Sequence, residues 1–396
     1  MYAWSNLTNM LWVEFPIGVG FSQGEVTAKS EEEVAQDFLG FFKNFQKEFG
    51  ISKFKIYITG ESYAGRYVPY VASAMLDAND TEYYDVGGAL MYDPVIGQFE
   101  YQQNSVPIVP YVKKHSQFLN FNSTFMSYLD LAHEYCGYAN YSKYFMKFPP
   151  TAPQPTLDTL FNEISGPGVP TCDLWHLVYK EAYRVNPCFN VYEISGMCPV
   201  LYDPLSYPSD IQYDWPGAGG TYFNRTDVKR ALHAPLNVSW SECSGPVFAG
   251  EGGLYGLGDY SADPIVKVLP QVIEATNRVL VANGDYDMEV LTEGTLLAIQ
   301  NMTWNGDFGF QKKPTTPIDI KLPDLQYAAV FQDSGLVDEN GDGFDGPGGQ
   351  GIMGIQHYER GLMWAETYQS GHMQPQFQPR STYRHLQWVL GRIDKL

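Results

Sequence analysis

Residues 55–65 read KIYITGESYAG: a β-branched apolar run stops at Gly60 and gives way beyond Ser62 to a helical pattern. A serine on such a strand-to-helix turn, with small residues on both sides, meets the requirement for displaying a nucleophile, because the turn holds the backbone in a strained conformation and turns the hydroxyl outward. Ala64 stands where the generic G-x-S-x-G pattern has its second glycine. The motif alone also fits an ordinary serine in a turn, so the rest of the chain has to decide.

The surrounding pattern fixes the fold class. FKIYIT (54–59) and VGGALMYDPV (86–95) read as strands, and YVPYVASAMLDAN (67–79) between them as a helix. Upstream, MLWVEF (10–15) reads as a buried strand ending at Pro16, followed by the glycine-rich GVGFSQG. Ser30-Glu31-Glu32-Glu33 is a capping box that opens a helix, with Val34, Phe38, Phe41, Phe45 and Phe49 at helical spacing and Gly50 as its stop. Strand and helix in alternation predict an α/β fold with a central, mostly parallel sheet.

The rhythm lapses near residue 100. Residues 101–220 hold Cys136, Cys172, Cys188 and Cys198, many aromatics and the proline-rich FPPTAPQPT (148–156). It resumes with TDVKRALHA (226–234), RVLVANGD (278–285), GTLLAIQ (294–300), LMWAET (362–367) and an amphipathic helix over 381–394. The expected organisation is a core in two parts, 1–100 and 221–396, interrupted by an inserted disulfide-bearing cap subdomain over 101–220.

Charge and spacing exclude several functions. A formal charge of −20 argues against nucleic acid and anionic membrane surfaces as partners. No run of 18 apolar residues provides a spanning helix. The five cysteines contain no C-x-x-C pair, which removes zinc spacing and leaves disulfides, with one thiol over. Asp338-Glu339-Asn340-Gly341-Asp342-Gly343 begins like a calcium loop, but Gly349 occupies the twelfth position where a bidentate glutamate is needed, so no metal and no cofactor are expected. Seven N-x-S/T sequons, at Asn6, Asn79, Asn122, Asn140, Asn224, Asn237 and Asn301, exceed the about two that average composition gives by chance. They favour the secretory pathway, although MYAWSNLTNMLWVEF lacks the form of a signal peptide.

A serine nucleophile needs a base, and the base an orienter, at the ends of later strands. Strand 278–285 runs into Gly284-Asp285-Tyr286-Asp287, and strand 362–367 into Gly371-His372-Met373. His385 falls within the last helix, and His115, His133 and His176 within the insert; His233 and His357 remain open alternatives without the strand-then-glycine setting.

GESYAG, NGDYD and GHMQP, in this order, together with WSNLTNMLWVEFPIGVGFSQG, resemble the serine carboxypeptidases of the α/β-hydrolase class, most nearly the fungal secreted type, over nearly the whole chain. The resemblance implies release of C-terminal amino acids from peptides through an acyl-enzyme, with Ser62 as nucleophile, His372 as base, Asp287 as orienter and Asp285 in a structural role. It also implies substrate contacts from Glu61, Tyr63 and Met373, the Tyr63 N–H being half of an oxyanion hole. Glu61 would hydrogen-bond the substrate's free carboxylate, which requires one of the two acids to hold a proton and therefore acid pH. Phe15 and Phe377 depart from the family pattern and are expected to alter the pocket. The family's W-x-N-G-G-P-G-C-S-S-type loop, with the other oxyanion donor and the partner of Cys243, is not in this sequence, so an N-terminally truncated chain with impaired catalysis is an alternative, as is an acyltransferase on the same triad. The remaining cysteines are expected to pair in nested fashion, Cys136–Cys198 and Cys172–Cys188. A secreted or vacuolar location is implied; side-chain preference and oligomeric state are left open.

Overall fold

The computed structural model describes residues 2–156, 172–198, 221–241, 246–252, 258–320 and 351–396. Its strands are β1 (Ile56–Glu61), β2 (Val86–Tyr92), β3 (Val279–Gly284), a short pair β4 (Thr303–Trp304) and β5 (Asp307–Phe308), β6 (Thr316–Ile320), β7 (Gly351–Glu359) and β8 (Leu362–Thr367). Six of them form one sheet in the order β1-β2-β3-β8-β7-β6. The first four in that order run parallel, and β7 and β6 extend the sheet antiparallel.

Alternation along the strands sends side chains to two separate cores. Ala89, Met91, Val279, Val281, Leu362 and Trp364 join one apolar cluster with α1 (Glu31–Phe49), α2 (Ala64–Ala78) and the helix Val268–Thr276. Their neighbours Leu90, Tyr92, Leu280, Ala282, Met363 and Ala365 face Leu386, Trp388 and Val389 of the C-terminal helix Pro379–Val389 on the other side. Every residue of β3 and β8 is buried, which is why these strands read as near-continuous apolar runs. A further cluster gathers residues of 106–194 around Leu129, Leu174 and Val178 and meets the rest of the chain through Met288, Leu291 and Leu297.

Local signals act as expected at α1: Ser30 Oγ accepts from Glu33 N, and Gly50 closes the helix at φ 62°. Its buried stripe is rotated from the expected one. Val34, Ala35, Leu39 and Phe42 face α2 and the sheet, while Phe41 and Phe49 are exposed at the flank of an aromatic row. Residues 10–15 form no strand; no neighbouring strand pairs with them, and Trp12 is 74% exposed. The last helix spans 379–389 rather than 381–394. β6 and β7 escaped sequence reading because their glycines and polar residues blur the alternation, and the turn into β8 uses Arg360 and Gly361, both at positive φ, as a two-residue hairpin loop.

The nested disulfide pairing is wrong. Cys136 pairs with Cys172 and Cys188 with Cys198, with Cα separations of 5.6 and 5.2 Å. Cys136 caps the helix Ser123–Tyr135, and Cys172 lies one residue ahead of Asp173, the N-cap of the helix Leu174–Val185; Leu129, Ala132 and Val178 pack these helices together and bring their ends side by side. Cys243 and the acidic stretch 338–343 lie outside the described residues.

A buried charge cluster anchors α2. Arg66, fully buried, pairs with Asp259 Oδ2 at 3.0 Å and Asp263 Oδ1 at 3.1 Å and donates to the carbonyls of Ser261 and Ala262. Tyr63 Oη donates to the same Asp259 oxygen at 2.8 Å. Glu31, also buried, finds no hydrogen-bond partner for either carboxylate oxygen among the described residues. Burial, with Asp259 adding to it and Arg66 opposing, pushes its pKa up to about 9. A folded-state pKa above the unfolded one means that stability is complete below the unfolded value near 4.5 and drains away as pH climbs through about 9. Glu31→Gln is therefore expected to flatten the fall of Tm between mildly acid and mildly alkaline pH, so that the variant gains on the parent as pH rises. Thermal melts of both proteins across that range check this, and a Tm difference that stays constant with pH would refute it.

Candidate active site

Four adjacent parallel strands end at one edge of the sheet within two residues of one another, and Ser62, Asp93, Asp287 and His372 lie beyond the carboxyl ends of β1, β2, β3 and β8. The register pairs Glu61 with Tyr92, Tyr92 with Ala282, and Gly284 with Thr367. Ser62 N donates to Tyr92 O at 2.9 Å, Asp93 N to Ala282 O at 2.7 Å and Asp285 N to Thr367 O at 3.1 Å, so the ladder runs one bond beyond the strands. Open α/β sheets bind ligands at this edge.

Ser62 sits at φ 62°, a left-handed conformation that costs a non-glycine residue energy unless its surroundings impose it. They do: the Ser62 carbonyl accepts from Gly65 N at 2.9 Å and Val95 N at 3.0 Å. The small residues of the motif make this possible. A Cβ on Gly60 would lie 2.6 Å from Ala64 Cβ, and one on Gly65 would lie 2.5 Å from Val95 N. Tyr63 follows at the N-terminus of α2 with its phenol tied to Asp259.

His372, buried on the loop after β8, has Nδ1 2.7 Å from Asp287 Oδ2. A carboxylate only accepts, so the Nδ1 hydrogen donates and Nε2 remains the basic nitrogen. Asp287 also accepts from the backbone N–H of Glu289 at 2.8 Å and of Val290 at 3.2 Å. Asp285 does not reach His372; its Oδ1 accepts from Ser370 N at 3.4 Å, and burial pushes its pKa up to about 7. The segment 190–195 braces the arrangement, with His372 N donating to Tyr192 O at 2.8 Å, the Tyr192 ring 5.2 Å from the imidazole, and Met288 N donating to Val191 O at 2.9 Å.

Glu61 is half-buried beside Ser62. Burial pushes its pKa up to about 7, and the charge of His372, close enough to be felt, acts against the rise. Met373, half-buried, follows His372 and caps the short helix Gln374–Phe377. The ring of Phe377 closes against Gly371, and Phe15 packs on Tyr67 at 5.3 Å.

The other histidines are engaged elsewhere. His357 faces Glu359 at 2.8 Å, His176 faces Asp173 at 2.9 Å, and His233 is exposed at φ 55°. His115 and His385 are buried among aromatic rings, which lowers their pKa values to about 4 and about 3, and burial lowers that of His133 as well. Of the sequon asparagines, Asn6, Asn79, Asn122, Asn140 and Asn237 are exposed. Asn224 is bound to the Trp240 backbone through both side-chain ends, and Asn301 Oδ1 accepts from Gln154 N.

Sequence reading missed Asp93. It is fully buried at φ 44°, and its carboxyl accepts from Gly284 N at 2.7 Å and Gln374 Nε2 at 2.6 Å. Its position directly after a central parallel strand, in the same relation to β2 as Ser62 to β1, was the available signal.

The sequence matches the family model described as serine carboxypeptidase over residues 1–392. It is 57% identical over 397 residues to serine-type carboxypeptidase F of Aspergillus niger, covering 100% of this chain and 72% of that protein. It is 39% identical over 406 residues to a probable serine carboxypeptidase of Arthroderma benhamiae, covering 100% of this chain and 70% of that one. The fold is similar to that of Kex1(delta)p, a prohormone-processing carboxypeptidase from Saccharomyces cerevisiae, with a TM-score of 0.66 at 20% identity over 99% of this chain and 75% of the other. With the strand-end serine and the buried His–Asp pair on one sheet edge, these matches establish that the chain belongs to the serine carboxypeptidase family, with the α/β-hydrolase fold and a serine-type carboxypeptidase function.

Proposed function

We propose that Ser62 is the nucleophile, His372 the general base and then acid, and Asp287 its orienter, in an acid-active exopeptidase reaction. The observation that carries this reading is the 2.7 Å contact between His372 Nδ1 and Asp287 at the sheet edge where Ser62 holds its left-handed turn. Ser62 Oγ attacks the carbonyl carbon of the last peptide bond and gives its proton to His372 Nε2. The oxyanion takes a hydrogen bond from Tyr63 N–H at the start of α2. His372 then protonates the leaving amine, the C–N bond breaks, and water repeats the sequence on the acyl-enzyme.

Hydrolysis of a blocked dipeptide with a free C-terminus, beside its amide, tests the assignment. The free acid should be cleaved and the amide largely spared, and Ser62→Ala should lose on the order of 10⁵–10⁶ in turnover. Equal cleavage of acid and amide, or an active Ser62→Ala protein, would overturn it.

Glu61 holds its proton below about 7 and can then donate to the substrate carboxylate; above that value two anions face each other. KM is expected to climb about tenfold per pH unit on the alkaline side. Glu61→Gln keeps a donor at every pH, so its KM should stay flat where the parent's rises. Parallel KM profiles for the two proteins would count against the role.

We read residues 101–220 as a cap inserted into the hydrolase core of 1–100 and 221–396; the separate apolar cluster of 106–194 supports this. The two disulfides and the exposed sequons support passage through the secretory pathway, and no helix among the described residues is long and apolar enough to cross a membrane. Site-resolved mass spectrometry after endoglycosidase treatment should find glycans at Asn6, Asn79, Asn122, Asn140 and Asn237 and little at Asn224 or Asn301. Unmodified exposed sites in protein from a secretory host would contradict it.

A further inference from the structure

Asp93, Asp287 and His372 bring their polar atoms within 4.8 Å of one another, all three side chains buried. The nearest carboxyl oxygens of Asp93 and Asp287 are therefore no more than 4.8 Å apart. Two carboxylates cannot share a hydrogen bond, because neither has a hydrogen to give, and two buried like charges at this range repel strongly. One of the pair must carry a proton.

The surroundings decide which. Asp287 is the acid that meets His372, and it receives two backbone N–H groups besides. Asp93 accepts from Gly284 N and from the Gln374 amide and touches no cation directly; a protonated carboxyl keeps both contacts, since a hydroxyl oxygen accepts as well as donates. We infer that Asp93 is a neutral carboxylic acid that donates its hydrogen to Asp287, making it a positioning residue that keeps Asp287 ionised and aimed at His372.

This rests on the reading of Asp287 as orienter. Burial pushes both carboxyls well above the usual range; at Asp93 the Asp287 charge adds to the rise and His372 opposes it, whereas at Asp287 two backbone N–H groups and Asp93 itself oppose it. The titratable groups around it are Asp287 and His372, Tyr92 beside it at the end of β2, Glu61 behind Tyr92 and Glu289 behind Asp287. The nearest of the remaining contacts, Asn283, Gln374 and, through Asn283, Thr295, are uncharged. Gln374 is itself held by Thr367 Oγ1 at 2.8 Å, so the chain Thr367–Gln374–Asp93–Asp287–His372 links β8 back to its own catalytic loop through the end of β2.

Asp93→Asn and Asp93→Leu, compared with Asp287→Asn, test the inference. Asparagine reproduces a neutral donor, so kcat should stay within a few-fold of the parent and the acid limb of the kcat/KM profile should not move. Leucine removes the donor, so kcat should fall on the order of tenfold with KM unchanged. If Asp93 is instead an anion supporting the His372 cation, Asp93→Asn will shift the acid limb downward by a pH unit or more, and the inference fails. A leucine variant with parental kcat also overturns it. Asp287→Asn must by itself lose most activity; if it does not, the orienter reading falls first, whatever Asp93 does. Infrared spectra of parent protein labelled with ¹³C-aspartate need no variant to fold: on the alkaline side of neutrality, where Asp285 is ionised, a protonated aspartate band should persist, and its absence would settle against the proposal.

Discussion

The crossing of α2 over β1 at Gly60, Ala64 and Gly65 is the contact on which the site depends. Side chains at 60 or 65 would collide with Ala64, Val68 or the backbone of Val95, and the helix could not start so close to the strand end. Because it does start there, Ser62 is forced into its left-handed turn with the first N–H groups of α2 beside it. Arg66 and Tyr63 then fix the first turn from below by way of Asp259. Breaking a buried pair of this kind leaves an uncompensated charge and costs about 3–5 kcal/mol, so the clamp is expensive to lose even though its net contribution to stability is small.

Acidity is used in the same way throughout. The chain carries a formal charge of −20, yet several of its acids sit where water is scarce. Burial is the leading cause of the raised pKa at Glu31, Glu61, Glu193 and Asp285 alike. Each of these groups favours the folded state while it is protonated and disfavours it once ionised, so the fold and the proposed carboxylate recognition prefer the same side of neutrality. An acid preference in the proposed reaction would then be a property of the packing and not of Glu61 alone.

How far the site could be read from sequence follows from how local its signals are. The elbow at 60–65, the strand 362–367 and the acid and histidine after their strands depend on nearest neighbours, and the structure places them as read. Choosing Asp287 over Asp285 came from the resemblance, since two aspartates two residues apart after a strand look alike until the fold turns one toward His372 and the other toward Ser370. β6 and β7 owe their existence to pairing with β8 and not to their own pattern. The cysteine pairing depends on which helices between residues 106 and 194 pack together, a non-local fact that spacing does not carry.

The segment 190–195 is also part of the candidate site. The backbone of 191–194 hydrogen-bonds to both Met288 and Tyr286 on the acid loop and to His372 on the base loop, so one segment holds the two loops in register. Cys188–Cys198 brackets this segment, closing a sequence separation of 10, and Cys136–Cys172 ties its neighbouring helices over a separation of 36. On a chain-entropy account these closures contribute about 3 and about 4 kcal/mol. The smaller effect falls beside the candidate site, because the 190–195 segment it closes hydrogen-bonds to the loops that carry His372 and Asp287. The geometry of the candidate site and the stability of the sheet therefore rest on separate restraints: the sheet edge supplies the positions of the residues, and the disulfide-bracketed segment 190–195 braces the loops that carry His372 and Asp287.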